Sequence, residues 1–155
     1  MPAPEIGESY RGVEGHSGYL LRQAWNAFRA AMDAALRAQG LSGAQYAALS
    51  VLNRDQGLSG AELARACNTT PQAINGVLAT LERAGLVVRR THPTHGRILQ
   101  AFLTDEGRRG LDRATPVVRG VERAIEADLS PEEVAAVKSW LVAAAQRLAP
   151  GNAEA

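Results

Sequence analysis

Apolar residues recur at intervals of three and four along most of this chain, a spacing that predicts α-helices. The first long helix is predicted over residues 17–39, and Gly40 is expected to end it. Two apolar stripes lie side by side on this helix, so its apolar face is wide. The stripes consist of Leu21, Trp25, Phe28, Met32 and Ala35, and of Leu20, Ala24, Ala27 and Ala31.

Two more helices are predicted at the other end of the chain. Thr104 caps a long helix that starts at Asp105, and Pro116 inside it is expected to kink it. A capping box, Ser130 to Glu133 with Pro131 at the first helical position, opens the last helix. Its apolar residues have the spacing of a helix–helix seam. They are Val134, Val137, Leu141, Ala144 and Leu148.

The apolar stripes at the two chain ends exceed what a small middle domain of about 45 residues can cover. A twofold dimer in which terminal helices of both chains interlock would bury them. The alternative is an intramolecular bundle within a monomer. We favour the homodimer, because the two stripes are separate and lie at opposite ends of the chain.

The middle of the chain predicts two short helices, a tight turn and a β-hairpin in that order. Ser59 and Glu62 form a capping box, and Asn68 occupies a position that suits a left-handed residue. Thr70 and Pro71 then start a second helix as N-cap and first helical residue. Gly85 is expected to end it before the strands of the hairpin. The finer expectations are inward positions at Leu63 and Ala66, then Ile74, Val77, Leu78 and Leu81, with a strand that opens at 86–88, a turn at 92–96 and a returning strand at 98–103.

A further capping box, Ser42 to Gln45, opens a helix just before this segment. Tyr46, Leu49 and Leu52 are its inward positions, and it is expected to end near residues 55–57. The chain as a whole is therefore predicted to be mainly α, with a small β-hairpin.

The outward face of the helix that starts at Pro71 is short, uncharged and rich in amide groups. Gln and Asn side chains can bond bidentately to adenine, and the methyl groups of Ala and Thr can touch thymine. The alternative is the solvated face of an ordinary helical domain, which is usually rich in Glu and Lys. The outward residues are Gln72, Ala73, Asn75, Gly76 and Thr80.

Charge is distributed unevenly along the chain, although the net charge is only +1. Residues 59–104 carry five arginines against two glutamates, a net charge of +3, while residues 105–155 carry seven basic against nine acidic groups, a net charge of −2. The positive charge therefore coincides with the segment whose helix face suits DNA.

The chain resembles the MarR family of winged-helix transcriptional regulators. The resemblance rests on Glu62-Leu63-Ala64, Thr70-Pro71, Ile74, the run from Leu81 to Val87, Arg97 and Leu103-Thr104, and it extends over residues 17–148. It implies a winged helix-turn-helix inserted between dimerisation helices. Family members often carry Asp-Arg-Arg at the tip of the hairpin, or wing, where this chain has His95-Gly96-Arg97. The arginine expected to enter the minor groove is thus retained, and the aspartate that would orient it is replaced.

The helix face and the resemblance together predict contacts with double-stranded DNA over a pseudo-palindromic operator. The expected DNA-binding residues are Arg65, Thr70, Gln72, Ala73, Asn75, Gly76, Thr80, Arg89, His95 and Arg97. The resemblance also implies a small aromatic acid as effector, bound at the junction between the dimer helices and the DNA-binding lobe. Its expected contacts are Tyr19, Gln23 and Tyr46, with Arg22 or Arg113 as the cation for its carboxylate.

The predicted organisation has a flexible N-terminus, two dimerisation segments, one DNA-binding lobe and a flexible C-terminus. These are residues 1–15, then 16–41 and 105–148, then 42–104, and 149–155.

The remaining candidate sites favour structural roles. Cys67 is most simply a small buried hydrophobe, with a redox sensor as the alternative. His92 and His95 have poor spacing for zinc, so we expect them to contact phosphate or to shape the turn, and we expect no metal and no cofactor.

Three functions remain in order of preference. The first is a homodimeric repressor released by a small aromatic acid, and the second is a constitutive or architectural DNA-binding protein without an effector. An enzyme comes last, because no paired carboxylates, nucleophile elbow, phosphate loop or metal cluster is visible. No apolar run suits a membrane helix and no signal peptide is visible, so a cytoplasmic location without membrane attachment is expected.

Overall fold

A computed structural model describes residues 2–150, which form two compact units divided between residues 121 and 122. The elements in chain order are α1 (Ser17–Leu36), α2 (Gly43–Arg54), β1 (Leu58–Ser59), α3 (Gly60–Ala66), α4 (Pro71–Arg83), β2 (Val87–Thr91), β3 (Leu99–Leu103), α5 (Asp105–Ile125) and α6 (Pro131–Leu148). The prediction of a mainly α-helical winged fold is confirmed.

Local capping chemistry explains where the helices of the first unit begin and end. After α1, a 3-10 turn leads to Gly40, whose φ of 69° is left-handed. Ser42 then accepts the Gln45 N–H at 3.2 Å, and the Gln45 side chain accepts the Ser42 N–H at 2.8 Å. This capping box and the end at Gly40 agree with the sequence. The α-helix itself stops at Leu36, three residues earlier than predicted, because the last turn tightens to 3-10 geometry.

The sheet has three antiparallel strands in the order β1-β3-β2. Only the β2–β3 hairpin was predicted from the sequence. The extra strand is two residues long, with Leu58 paired to Ala101 and Ser59 to Gln100. Side-chain bonds reinforce it, since the Gln100 amide donates to the Gly57 carbonyl at 2.7 Å. So short a strand has no detectable alternation of apolar and polar residues.

The core of the first unit lies beneath α4 and the sheet. The inward side chains of α4 are almost fully buried, at 1% exposure for Ile74, 2% for Leu78 and 0% for Leu81. They share one apolar cluster with Leu49, Leu52 and Leu63 of α2 and α3. Burial on this scale stabilises by about 2 kcal/mol for each large side chain, so it holds α4 firmly in one orientation.

Two expectations for the hairpin region need correction. Ala66 is exposed, and the inward positions of α3 are Leu63 and Ala64, with Cys67 completing the face one turn after Leu63. The seven-residue helix is too short for its apolar spacing to define a face, and its packing on α4 decides the face instead. Each strand also begins one residue later than expected, since β2 starts at Val87 and β3 at Leu99.

The second unit contains the last turn of α5 and the helix α6. Ser130 accepts the Glu133 N–H at 3.2 Å and Glu133 accepts the Ser130 N–H at 2.8 Å, which is the capping box expected there. Within the described part of α6 no residue is buried. Its large apolar side chains are exposed, among them Val137, Trp140 and Leu141, at 46%, 46% and 42%. On α1, Leu21 and Trp25 are likewise 41% and 58% exposed.

The end of α4, the start of the wing and the start of α5 meet closely, through hydrogen bonds of Thr104 and a close backbone approach at Gly107. Thr104 donates its hydroxyl to the Gly85 carbonyl at 2.7 Å and accepts the Gly107 N–H at 3.0 Å. Gly85 has a left-handed φ of 73° directly after α4, as expected for a helix end. The approach at Gly107 is so close that an added Cβ would lie 2.1 Å from the Leu86 carbonyl oxygen.

We predict that Gly107→Ala destabilises the protein by about 2 kcal/mol, because backbone of the wing must move to admit a methyl group. Thermal unfolding followed by circular dichroism would measure the loss. Gly110→Ala is the matched control one turn further along α5, where the new Cβ meets only side-chain atoms at 3.8 and 4.0 Å. It should hold or raise stability by up to about 1 kcal/mol. Equal melting temperatures for the two variants would contradict the close approach.

Candidate nucleic-acid interface

A tight turn between α3 and α4 sets the direction in which α4 leaves the core. Asn68 adopts a left-handed φ of 54° in this turn. Thr70 then caps α4, its hydroxyl accepting the Ala73 N–H at 3.2 Å, and Pro71 occupies the first helical position. At the start of α3, the Ser59 hydroxyl and the Ser59 N–H both donate to the Glu62 carboxylate, at 2.7 and 2.8 Å, and they hold the pKa of Glu62 below its ordinary value. The Ser59 Oγ atom accepts the Glu62 N–H at 3.3 Å in return. These caps agree with the sequence.

The face of α4 opposite the core is exposed along its whole length. Gln72 and Asn75 make no hydrogen bond through their amide groups within the described chain, so both are free to bind other groups. Ala73 and Gly76 beside them are exposed and small. Thr80 is also exposed, and its hydroxyl donates to the Gly76 carbonyl at 3.1 Å. The five residues predicted to face outward therefore form one continuous exposed surface.

The base of the wing packs beside this surface and leaves a cleft of about 360 Å³ between them. Asn75 of α4 lines it on one side, and Arg97 with Ile98 and Leu99 on the other. Gly60 lies at its floor, where an added Cβ would be 3.0 Å from the Asn75 Oδ1 atom. The exposed Arg97 forms no ion pair in the described residues, so its charge is available to an anion.

Arg89 is held by an ion pair and is less available than the sequence suggested. Its Nε and Nη2 groups donate to the same oxygen of Glu82 at 2.9 and 2.6 Å, and only 26% of its side chain is exposed. The Arg89 hydrogen bond lowers the pKa of Glu82. Because Glu82 lies on α4 and Arg89 on β2, the pair ties the wing strand to the helix and neutralises one positive charge.

His92 shapes the turn of the wing. Its Nδ1 atom accepts the N–H groups of Thr94 and His95, both at 3.2 Å. The two imidazole rings lie near each other, with centroids 5.1 Å apart, and His95 itself is exposed at the tip. This is the structural role at the turn that the sequence left open for His92. In residues 2–150, no three His, Cys, Asp or Glu side chains are grouped so that they could hold a metal ion.

Three further arginines lie on α3, α4 and β2. The exposed Arg65 of α3 lines a hollow of about 280 Å³ together with His92 of the wing. Arg83 lies at the end of α4, with Nη2 3.3 Å from the Thr80 Oγ1 atom, and Arg90 of β2 lies over the Phe102 ring at 5.3 Å. Neither Arg83 nor Arg90 is among the DNA-binding residues expected from the sequence. The spacing of Arg83, three residues beyond Thr80 on one helix face, is a signal that could have identified it.

The structure brings together three of the five residues expected to bind an aromatic acid. Tyr19, Arg22 and Gln23 of α1 line a cavity of about 470 Å³, together with Ile6 and Arg11 of the segment before α1. Many of its polar groups already have partners. The Arg11 Nε donates to the Gln23 Oε1 atom at 3.1 Å, the Gln23 amide donates to the Arg11 carbonyl at 3.0 Å, and Arg22 lies over the Tyr19 ring at 5.6 Å.

The other two expected residues lie elsewhere in the first unit. Tyr46 packs against the core, with its hydroxyl 3.5 Å from that of Thr115. Arg113 forms an ion pair with Glu106 at 3.2 Å on α5. Within one chain the five residues thus do not form a single site.

Cys67 is half-buried at the end of α3, and burial raises the pKa of its thiol above the ordinary value. The reactive thiolate is therefore disfavoured at neutral pH. This agrees with the role of a small apolar side chain. Among the described residues, no helix is both long and apolar enough to cross a membrane.

Comparison with known proteins adds three kinds of relationship. Residues 39–98 match the sequence profile of the MarR family. The HTH-type transcriptional repressor Rv2887 of Mycobacterium tuberculosis is 40% identical over 124 residues, which span 80% of this chain and 89% of that protein. A crystal structure of Rv2887 in complex with salicylic acid superimposes with a TM-score of 0.65 at 40% identity, covering 81% of this chain and 93% of that one.

A structure of the transcriptional repressor CouR bound to a 23-mer DNA duplex superimposes with a TM-score of 0.79 at 26% identity. It covers 93% of this chain and 99% of that one. The winged helix with its exposed α4, the profile match and a 40% identical repressor of nearly the same extent agree with one another. This chain belongs to the MarR family of transcriptional regulators.

Proposed function

We propose that this protein is a homodimeric repressor that reads a pseudo-palindromic operator with α4 and leaves it when a small aromatic acid binds. The observation that carries the DNA-binding part is the exposed α4 face, in which unpaired amides of Gln72 and Asn75 stand beside the free cation Arg97. Amides of this kind can read base edges in the major groove, and an arginine can follow the backbone or the minor groove.

The twofold arrangement is supported by apolar surface that one chain leaves exposed. On α6 the exposed side chains include Val137, Trp140 and Leu141, and on α1 they include Leu21 and Trp25. Exposed apolar patches on two helices are costly in water and typical of association surfaces. In a symmetric dimer the two α4 helices would enter successive major grooves about 34 Å apart, which requires an operator with twofold symmetry.

We propose an aromatic acid as effector because a relative that is 40% identical to this chain has been solved in complex with salicylic acid. An acid that binds more tightly to a form with another α4 spacing lowers DNA affinity by its differential affinity for the two forms. A coupling of 1–3 kcal/mol, typical of such systems, corresponds to roughly 5–150-fold.

The dimer prediction is tested by light scattering at micromolar concentration, where the wild type should have about twice the chain mass of 16.4 kDa. Leu141→Glu places a charge in the apolar stripe of α6 and should shift the mass toward one chain, because burying an unpaired charge is costly. Ser139→Glu is the matched control on the opposite, exposed side of α6. A wild type that stays a folded monomer would contradict the dimer.

The separate roles proposed for Asn75 and Arg97 on DNA are tested by selecting duplexes from a randomised library with the wild type and two variants. Asn75→Ala should cost about 1–3 kcal/mol at the base pair it reads and should relax the preference there. Arg97→Ala should instead weaken binding to most sequences and reduce the salt dependence by about one phosphate. Identical sequence preferences in the two variants would contradict separate roles.

Release by an aromatic acid is tested by titrating salicylate against the complex of wild-type protein and a selected duplex. We expect at least about a fivefold loss of DNA affinity at millimolar salicylate. Salicylamide, which lacks the negative charge, is the matched control and should have a smaller effect. If no aromatic acid weakens binding up to millimolar concentration, the constitutive DNA-binding protein becomes the better hypothesis.

A further inference from the structure

The floor of the cleft between α4 and the wing is a glycine, and the side chain that it lacks would crowd Asn75. Gly60 is the first residue of α3 and is partly exposed. A Cβ added there would lie 3.0 Å from the Asn75 Oδ1 atom. Among the described residues, Asn75 is the only one outside α3 and its cap that this Cβ would touch. The missing side chain therefore concerns one partner, an amide proposed to read a base.

The helix cap does not explain a glycine at this position. The capping boxes of α2, α3 and α6 begin with different residues after the serine, namely Gly43, Gly60 and Pro131, and the same reciprocal hydrogen bonds form in each. The backbone of Gly60 is also outside the left-handed region, where glycine has a steric advantage. The contact with Asn75 is the feature that a larger residue would disturb.

The first turn of α3 has little freedom to move away from α4. Ser59 belongs to strand β1, and its hydroxyl and N–H both donate to the Glu62 carboxylate. Further along the two helices, Leu63 of α3 and Leu78 of α4 are buried in one cluster. The exposed end of the Asn75 side chain is the flexible partner of the contact. A methyl group at the floor of the cleft would therefore displace the amide and leave the helix in place.

A displaced amide reads DNA poorly, because hydrogen bonds to base edges tolerate little error. They need donor–acceptor distances of about 2.7–3.2 Å and weaken steeply as the bond departs from linearity. A bidentate amide must meet two base atoms at once, so a change of rotamer affects both bonds. Base contacts specify the sequence, whereas phosphate contacts position the protein. Displacement of the amide should therefore change sequence preference more than it changes total affinity.

We propose that Gly60 is a positioning residue for Asn75. By leaving the floor of the cleft open, it determines where the Asn75 amide stands and hence which base contact that amide can make. This inference rests on the proposed reading of DNA by α4, and it assigns part of the specificity to a residue of α3 that acts through Asn75. Gly60 is not among the DNA-binding residues expected from the sequence, because its contact joins two helices.

The positioning role is tested first in the full chain without DNA, by NMR of side-chain amides. Gly60→Ala should shift the Asn75 amide resonances and leave those of Gln45, which is held in the cap of α2, unchanged. Gly43→Ala is the matched control, because Gly43 has the same place in its capping box and its added Cβ meets Asp33 and Met32 at 3.3 and 3.6 Å. It should leave the Asn75 resonances as they are in the wild type. Unchanged Asn75 resonances in a folded Gly60→Ala variant would overturn the positioning role.

The consequence for recognition is tested by selecting duplexes from a randomised library with Gly60→Ala, Asn75→Ala and the double variant. Gly60→Ala should reduce the preference at the base pair read by Asn75 by about fivefold or more, the lower end of what a bidentate contact contributes. The salt dependence should stay unchanged, because no phosphate contact is lost. In the Asn75→Ala background the same substitution should have no further effect, since the atom that it would crowd is absent. Gly43→Ala should select the same sequences as the wild type.

The outcomes separate this inference from the proposed function. If Asn75→Ala relaxes the preference and Gly60→Ala retains it, the positioning role is overturned and the reading of DNA by α4 stands. An effect of Gly60→Ala that persists in full without the Asn75 side chain also overturns the positioning role, because the glycine then acts by another route. A wild type with no preference at any base pair overturns the proposed function instead, and the Asn75 resonances in the free protein then decide the positioning role.

Circular dichroism melts distinguish a positioning role from a purely structural one. Gly60→Ala should melt within a few degrees of the wild type, because Ala is at least as favourable as Gly in a helix. A Gly60→Ala variant that is unfolded, or that loses as much stability in the Asn75→Ala background as in the wild type, would show that the glycine serves the packing of α3. Either result would overturn the proposal.

Discussion

The burial of one side of α4 is the constraint on which the remaining surface depends. Ile74, Leu78 and Leu81 recur at helical spacing and are buried in one cluster with leucines of α2 and α3. Because α4 cannot rotate without exposing them, the opposite side of the helix must face solvent. That side is short and carries amides, methyl groups and a glycine in place of the charges that a solvated surface normally bears. The proposed recognition of DNA by α4 therefore depends on packing in the core, which determines the residues that are free to bind.

The wing is held to this helix by contacts that the core does not provide. The Glu82–Arg89 ion pair joins α4 to β2, and the Thr104 hydroxyl joins the end of α4 to the start of α5. The absence of a side chain at Gly107 allows the Leu86 carbonyl to approach that helix closely. Each of these contacts brings together residues that are distant in sequence or differ in element. Together they place Arg97 of the wing across a cleft from Asn75, which belongs to the exposed face of α4.

The sequence predicted those features that depend on local chemistry. The caps at Ser42, Ser59, Thr70 and Ser130 and the left-handed Asn68 were predicted correctly, because each needs only side chains within a few residues of one another. The outward face of α4 was predicted for the same reason, since helical periodicity defines both faces once the buried one is known.

Features that depend on tertiary contacts were not predictable in the same way. The two-residue strand β1 exists only because β3 lies beside it, and Ala64 takes the inward position expected for Ala66 because α3 packs on α4. The ion pair of Arg89 joins two elements, so a list of cations along the chain could not show that its charge is neutralised.

The most direct test of the account is an NMR titration with a duplex selected by the protein, following side-chain amide resonances. The account predicts large shifts for Gln72 and Asn75, whose amides are free, and none for Gln45, whose side chain is held in the cap of α2. Shifts confined to the ends of the chain, with Gln72 and Asn75 unchanged at saturating DNA, would contradict the proposal that the exposed face of α4 reads the bases.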